Sequence, residues 1–162
     1  LLYYAKMERP NSEIQTSTVV LSRFLQSLLP KWQRDTPLSI VIDDAESQGV
    51  VVNADPTLLK RALDNLLRNA MRYAKKQIVL ELVDTPDHCC IQIHDDGCGI
   101  EEKDWPHLFD AFYSADKARN KSTSGFGLGL AIVKQIVELQ DGCVSVSHSP
   151  LGGACFTVCF QK

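Results

Sequence analysis

Asn65, Asn69 and Arg72 fall at i, i+4 and i+7 within Asp64 to Ala74, "DNLLRNAMRYA". At about 100° per residue they share one flank of a helix whose apolar stripe is Leu59, Ala62, Leu63, Leu66 and Ala70. Two amides one turn apart, with a guanidinium on the next, suit a hydrated magnesium ion and its phosphates. Asn69 offers a carbonyl oxygen to the metal and Arg72 a cationic fork to the anion. Any one of these residues, taken alone, reads more simply as part of a solvated polar flank.

A second group is Asp95 to Ile100, "DDGCGI", a D-x-G-x-G. Side chains alternate along a strand, so Ile91, Ile93 and Asp95 share one face while Gln92 and His94 take the other. If the isoleucines face the core, Asp95 is a carboxylate on the buried side, and such a group needs a donor. The exocyclic amine of a planar ligand such as adenine supplies one, and a hydrogen bond to a charged acceptor contributes about 1.5 to 3 kcal/mol. An ordinary Asp-Gly turn is the competing reading.

The third group is Ser124 to Lys134, "SGFGLGLAIVK", with Gly125, Gly127 and Gly129 on alternate positions ahead of an apolar run. Leu130 stands where a dinucleotide fingerprint needs its third glycine, and no strand precedes the run. There is no G-x-x-x-x-G-K-[ST] segment, and "AIVK" lacks the H-R-D and D-F-G partners of a protein kinase. What remains is a helix start at Gly127, Leu128 and Gly129, whose unpaired N–H groups and positive dipole end face an anion. A turn packed for fold reasons fits the glycines equally well.

These groups need elements to hold them. "LLYYAKME" (Leu1 to Glu8) reads as the end of a helix broken at Arg9-Pro10. A short strand over Glu13 to Thr18 and an amphipathic helix over Val20 to Trp32 follow, then strands at Leu38 to Ile42 and Gly49 to Asn53. Asp55-Pro56 gives an N-cap and a first-turn proline for a helix reaching about Tyr73. Gln77 to Val83 and Cys89 to Asp95 read as paired strands around Thr85-Pro86-Asp87. Asp96 to Ser124 is mostly irregular, with a short helix near Glu101 to Leu108. Such length without structure is usually functional. A helix over Gly127 to Leu139 and strands at Cys143 to Ser147 and Ala154 to Phe160 complete an α/β chain, with helices on one face of a mixed or antiparallel sheet.

With 162 residues, 44 % of them hydrophobic and 23 % charged, the chain fits one domain with one core. No apolar run approaches the roughly 18 to 20 residues of a membrane span, and a net charge of −3 argues against nucleic acid as a partner. Opening on Leu1, the chain is expected to be a piece of a longer one. Its six cysteines lack zinc spacing and are expected to be reduced thiols in a cytosolic compartment.

Together the three groups resemble the ATP-binding domain of sensor histidine kinases, within the wider fold shared by gyrase, the Hsp90 chaperones and MutL. "DNLLRNAMRYA" resembles the N box, "DDGCGI" the first glycine box, "LFDAFY" (Leu108 to Tyr113) the F box and "GFGLGLAIV" the second glycine box. "LGGACFTV" (Leu151 to Val158) is similar to the terminal glycine motif. Cys98 and Phe126 depart mildly from the usual residues of the two glycine boxes.

The resemblance implies a two-layer α/β sandwich of the GHKL (Bergerat) type, with a mostly antiparallel sheet. It implies ATP and Mg2+ as cofactors, Asp95 on adenine, Asn69 on magnesium, Asn65 and Arg72 near the phosphates and Tyr73 packed near the nucleotide. Gly97, Gly99, Gly125, Gly127 and Gly129 would shape the pocket, and Ser114 to Ser124, with Lys117, Arg119 and Lys121, would be a lid ordering around triphosphate. It implies residues 1–9 as the remnant of a dimerisation helix and 10–162 as the ATP-binding domain. The phospho-accepting histidine, absent here because His88, His94, His107 and His148 lack its context, would lie on the protein's own dimerisation domain. A response regulator receiver domain would be the next partner. The full-length protein would be a homodimeric bacterial inner-membrane sensor whose cytoplasmic part includes this fragment, itself without membrane contact. ATP-hydrolysing relatives place a glutamate where this chain has Asn65, which cannot abstract a proton, and Asp64 points about 100° away. Phosphotransfer is therefore expected over hydrolysis, and a non-catalytic nucleotide-binding interaction module is the alternative.

Overall fold

A computed structural model describes residues 13–114 and 128–162. Within them the elements run β1 (Ser17–Val20), α1 (Leu21–Arg34), β2 (Ser39–Asp43), β3 (Val51–Ala54), α2 (Pro56–Tyr73), β4 (Gln77–Asp84), β5 (His88–Asp95), a short 3-10 helix (Glu102–His107), α3 (Gly129–Glu138), β6 (Cys143–His148) and β7 (Ala154–Gln161). The expected α/β sandwich is what forms. A five-stranded sheet in the order β2-β4-β5-β7-β6 is parallel at β2–β4 and antiparallel elsewhere, and β1 pairs antiparallel with β3 as a separate ribbon.

Alternation puts Ile78, Leu80 and Leu82 of β4, Ile91 and Ile93 of β5, and Phe156, Val158 and Phe160 of β7 into one buried layer. Against it pack the apolar stripes of α1 (Leu21, Leu25, Leu28), α2 (Leu59, Leu63, Leu66, Ala70) and α3 (Val133, Ile136, Val137). Leu67 joins the α2 stripe and widens it beyond the five residues expected. The other face of the sheet carries Val41, Cys143, Ser145 and Ser147, all exposed.

The first strand begins four residues later than the sequence pattern places it and ends two later, at Ser17–Val20. The N–H of Gln15 is drawn instead to the Asp55 carboxylate, at 3.0 Å, and Val19 is the residue buried opposite Val52. Asp55 caps α2 as expected, its Oδ1 accepting from the N–H groups of Thr57 and Leu58 at 3.0 and 3.2 Å. Its own N–H donates to Gln140 Oε1 beyond α3 at 2.6 Å. One buried residue thus joins the start of α2 to the segment before β1 and to the end of α3. Replacing Asp55 with alanine is expected to cost about 2 kcal/mol, the upper end of N-cap losses, read as a fall in the urea midpoint with unchanged slope.

The cysteine reading needs correction. Cys90 of β5 and Cys159 of β7 form a disulfide with Cα atoms 4.1 Å apart. Cys89, Cys98, Cys143 and Cys155 are free. The pair is separated by 69 positions in sequence, and only the adjacency of β5 and β7 brings it together.

Candidate functional site

Asp95 ends β5 on the core-facing side, 2 % exposed, as the alternation demands. Its Oδ1 accepts from the N–H of Gly97 at 2.9 Å and from that of Ala154 at 3.4 Å. Burial pushes its carboxyl above the ordinary range, more strongly than those two N–H groups pull it down, and the neighbouring Asp96 adds to the rise. Among the described residues no hydrogen bond is recorded to Oδ2. A carboxylate held by one oxygen on a rigid strand end leaves the other for an incoming donor.

Glycines crowd around this carboxylate. A Cβ at Gly97 would stand 2.4 Å from the Tyr73 carbonyl and 2.9 Å from Asp95 Oδ1, so the last residue of α2 and the loop after β5 meet backbone to backbone. Gly99 has φ +77°, a left-handed value that glycine adopts without strain. Asp96 turns outward, accepting from the N–H groups of Lys75 at 2.7 Å and Lys76 at 3.1 Å, which fixes the turn from α2 into β4. Burial acts to raise its carboxyl, yet the Lys76, Lys75 and Gln77 N–H groups outweigh it and the net shift is downward. Adjacent aspartates therefore hold different jobs: one is a buried acceptor, the other a backbone clamp.

Asn65 sits where α2 meets the start of α3. Its Nδ2 donates to the Arg61 carbonyl at 3.1 Å, and its Oδ1 lies 3.5 Å from where a Cβ on Gly129 would be. That is ordinary contact, so packing against Asn65 does not itself require glycine at the first residue of α3. Leu128, the N-cap of α3, makes no side-chain cap bond, so the first N–H groups of the helix are not capped by its side chain. One turn along α2 from Asn65, Asn69 has its Nδ2 buried without a partner among the described residues. Such an atom costs about 1 to 3 kcal/mol if left so, and it marks the amide as kept for something other than the fold. Arg72 is exposed in the last turn of α2.

The carboxylate nearest to the Asn65 position is turned away. Asp64 accepts from Trp32 Nε1 at 2.8 Å and pairs with Lys60 at 2.8 Å and Lys31 at 3.7 Å, toward α1. Burial acts to raise its carboxyl, but Lys60 and Trp32 overcome it and hold the group below the ordinary range.

The F-box segment is divided in its contacts. Leu108 is buried and Phe109 packs edge-on against Phe156, while Phe112, at φ 65°, is 68 % exposed. Gly125, Gly127, Lys117 and Arg119 lie outside the described residues, as does all of the expected Ser114 to Ser124 lid beyond Ser114 itself. A cavity of about 700 Å³ lies elsewhere, lined by β3 residues and by Asp84, Gln161 and Lys162 at the opposite end of the sheet from Asp95.

Gly153 and Ala154 belong to the Asp95 environment, and the sequence reading assigned them no role in the site. A Cβ on Gly153 would lie 2.0 Å from Asp95 Oδ1. The available signal was the pair Gly152-Gly153 directly before β7, which marks a close approach without naming its target. His94 is a buried sheet residue of β5, its Nδ1 3.0 Å from Ser149 Oγ and its Nε2 3.4 Å from Glu81.

Comparison with known proteins places the chain in a family. Residues 54–162 match the family described as histidine kinase-, DNA gyrase B-, and HSP90-like ATPase. The chain is 38 % identical over 157 residues to the sensor protein RstB of Escherichia coli (strain K12), covering 97 % of this chain and 36 % of that protein. It is 36 % identical over 138 residues to the sensor histidine kinase YkoH of Bacillus subtilis (strain 168), covering 85 % of this chain and 29 % of that protein. The chain thus spans about a third of the length of these curated relatives. Among solved structures, the ATP-binding domain of PrrB from Mycobacterium tuberculosis superposes with a TM-score of 0.71 at 26 % identity, covering 88 % of this chain and 93 % of that one.

Proposed function

Because the chain belongs to the histidine kinase-, DNA gyrase B- and HSP90-like ATPase family, an ATP-binding domain, we propose that it is the catalytic half of a sensor histidine kinase. It would transfer the ATP γ-phosphate to a histidine on the protein's own dimerisation domain, for relay to a response regulator receiver domain. Residues 10–162 form the ATP-binding domain in this reading, and 1–9 end the helix leading from the dimerisation domain. The whole protein would be a homodimeric inner-membrane sensor of a bacterium, with this part in the cytoplasm.

The observation that carries transfer over hydrolysis is at Asn65 and Asp64. The position one turn before Asn69 holds an amide that donates to its own helix backbone, and the adjacent carboxylate is tied to Lys60 and Trp32. Neither accepts a proton from water at that spot. A neutral imidazole needs no such base, so the domain's task reduces to holding and orienting the triphosphate. Asp95 accepts from the adenine amine and sets the position of the base. The N–H groups at the start of α3, which the Leu128 side chain does not cap, meet phosphate oxygens. Asn69 would supply an amide oxygen to magnesium and donates its Nδ2, which has no partner among the described residues, to phosphate. Held by Asn69, magnesium would supply positive charge against the triphosphate. Arg72 adds a cation at the rim and Tyr73 packs beside the nucleotide, while Gly125 and Gly127 would shape the pocket and Lys117 and Arg119 would belong to its lid.

The experiment mixes this chain with its own dimerisation domain and γ-labelled ATP with Mg2+. Label that is lost in acid and retained in base, on the dimerisation domain and absent with Asn69→Ala, is the expected result. ATP bound without any transfer would replace this reading with a non-catalytic interaction module.

A further inference from the structure

The helix-free face of the sheet carries three cysteines in one row. Cys90 of β5 is the register partner of Cys159 of β7, and Cys159 is the register partner of Cys143 of β6. Directly opposed residues of antiparallel strands share a face, so the three side chains stand side by side on adjacent strands. The Cys90–Cys159 bond is formed, and Cys143 is free and exposed on the edge strand. Paired positions across antiparallel strands have Cα atoms roughly 4.5 to 5.5 Å apart, within the roughly 4.4 to 6.8 Å that disulfides span. A residue of a middle strand makes the closely spaced pair with one neighbour and the wider pair with the other; Cys90 holds the close place, with Cα atoms 4.1 Å apart, and Cys143 holds the wider one, still inside that span.

The order of the row matters chemically. Displacement at sulfur proceeds in line, with the attacking thiolate opposite the leaving one. Cys159 is the middle member, so Cys143 approaches it from the side opposite Cys90. The remaining cysteines take no part. Cys89 points into the core, opposite Phe160, and its burial pushes the thiol up to about 11. Cys155 is buried beside His94 and Thr157, and burial raises its thiol too. Cys98 is exposed but lies on the loop after Asp95, away from the row.

We propose that Cys90, Cys159 and Cys143 form a thiol–disulfide exchange site, in which the disulfide shifts by one strand between Cys90–Cys159 and Cys143–Cys159. The Cys143 thiolate attacks Cys159 Sγ, a Cys143–Cys159 bond forms, and the Cys90–Cys159 bond breaks. Its electron pair leaves on Cys90, which takes up the proton that Cys143 released. No electrons enter or leave in that step. The row is charged from the reduced state by a low-molecular-weight disulfide, which oxidises two protein thiols and is itself reduced to two thiols. A dithiol reverses this and becomes a disulfide. The oxidised row always presents one thiol, Cys143 on the edge strand or Cys90 two strands further into the sheet.

The test reduces the chain with a dithiol, removes it, and adds glutathione disulfide. The products are trapped with acid and N-ethylmaleimide, and the crosslinks are mapped by mass spectrometry. Both Cys90–Cys159 and Cys143–Cys159 are expected in the wild-type chain. The second should make up at least a tenth of the total, in the same ratio when the starting material is the already oxidised chain held at mildly alkaline pH. Cys90→Ser is expected to give the Cys143–Cys159 link, and Cys143→Ser the Cys90–Cys159 link alone, with circular dichroism reporting the fold. A Cys90→Ser chain that carries glutathione on Cys143 and no link to Cys159 would overturn the proposal. So would a wild-type chain yielding Cys90–Cys159 alone from both starting points, a result independent of how the variants fold.

Discussion

An Asp95→Asn chain is expected to lose ATP while remaining folded. Asparagine keeps an oxygen for the Gly97 and Ala154 N–H groups, which both donate to Oδ1. The replacement falls on the second oxygen, where an acceptor becomes an NH2 facing the amine of adenine. Losing a charged acceptor removes about 1.5 to 3 kcal/mol, which is roughly tenfold to two-hundredfold in affinity, and two opposed donors add to that. Isothermal titration with ATP and Mg2+ reads the loss directly. Unchanged affinity would place the base elsewhere, and a chain that unfolds would make Asp95 a structural residue.

The same residue gives a pH signature with two opposite signs. Burial raises the Asp95 carboxyl in the folded chain, so the folded state holds that proton more tightly than the unfolded one. Its contribution to stability is thus fully present below the unfolded value and is lost as pH rises through the folded one. ATP binding needs the ionised form, so affinity falls as pH drops through that raised value, starting above the ordinary carboxylate range. Asp95→Asn removes the first dependence and increases stability at neutral pH relative to the ionised wild type. Thermal melts of the two chains across acidic to neutral pH check it.

Gly153→Ala is expected to be the more damaging change to the fold. The added Cβ meets Asp95 Oδ1 at 2.0 Å, the Asp95 carbonyl oxygen at 2.5 Å and the Gly97 nitrogen at 2.6 Å. Two of these are backbone atoms, and the turn carrying Gly153 is pinned by Ser149, whose N–H donates to the Gly153 carbonyl at 2.8 Å. Relief therefore requires β5 and the start of β7 to part. We expect a loss of about 3 kcal/mol or more, or a melting temperature lower by about 6 to 12 °C. Its neighbour is the control. Gly152 has φ +103° and nothing within 4 Å of a Cβ, so Gly152→Ala carries backbone strain alone, of order 1 to 3 kcal/mol. Equal melting temperatures for the two variants would contradict the steric account.

The helix α2 was legible because three independent signals coincide there: the Asp55-Pro56 start, the 3.6-residue apolar stripe, and the polar flank at Asn65 and Asn69. Asp95 was legible because strand alternation alone decides which face it takes. Gly153 and the Cys90–Cys159 bond were not, for a shared reason. Both depend on β7 lying next to β5, and strand order is a property of the whole sheet rather than of any local pattern. The displaced β1 has a different cause. Its alternation is weak, and a tertiary hydrogen bond from Gln15 to Asp55, forty positions away, decides where pairing begins.

The place of β7 in the sheet also sets the order of events during synthesis. It comes after β6 in the chain yet lies between β5 and β6. Until residues 154–161 leave the ribosome, β5 is an open edge showing Ile91 and Ile93, and β6 has no neighbour. An unpaired apolar edge of that kind is the usual template for aggregation, and pairings this distant in sequence form slowly. Because the N–H of Ala154 and the close approach of Gly153 both arrive with that strand, nucleotide cannot shelter a partly made chain; it can only reward a finished one.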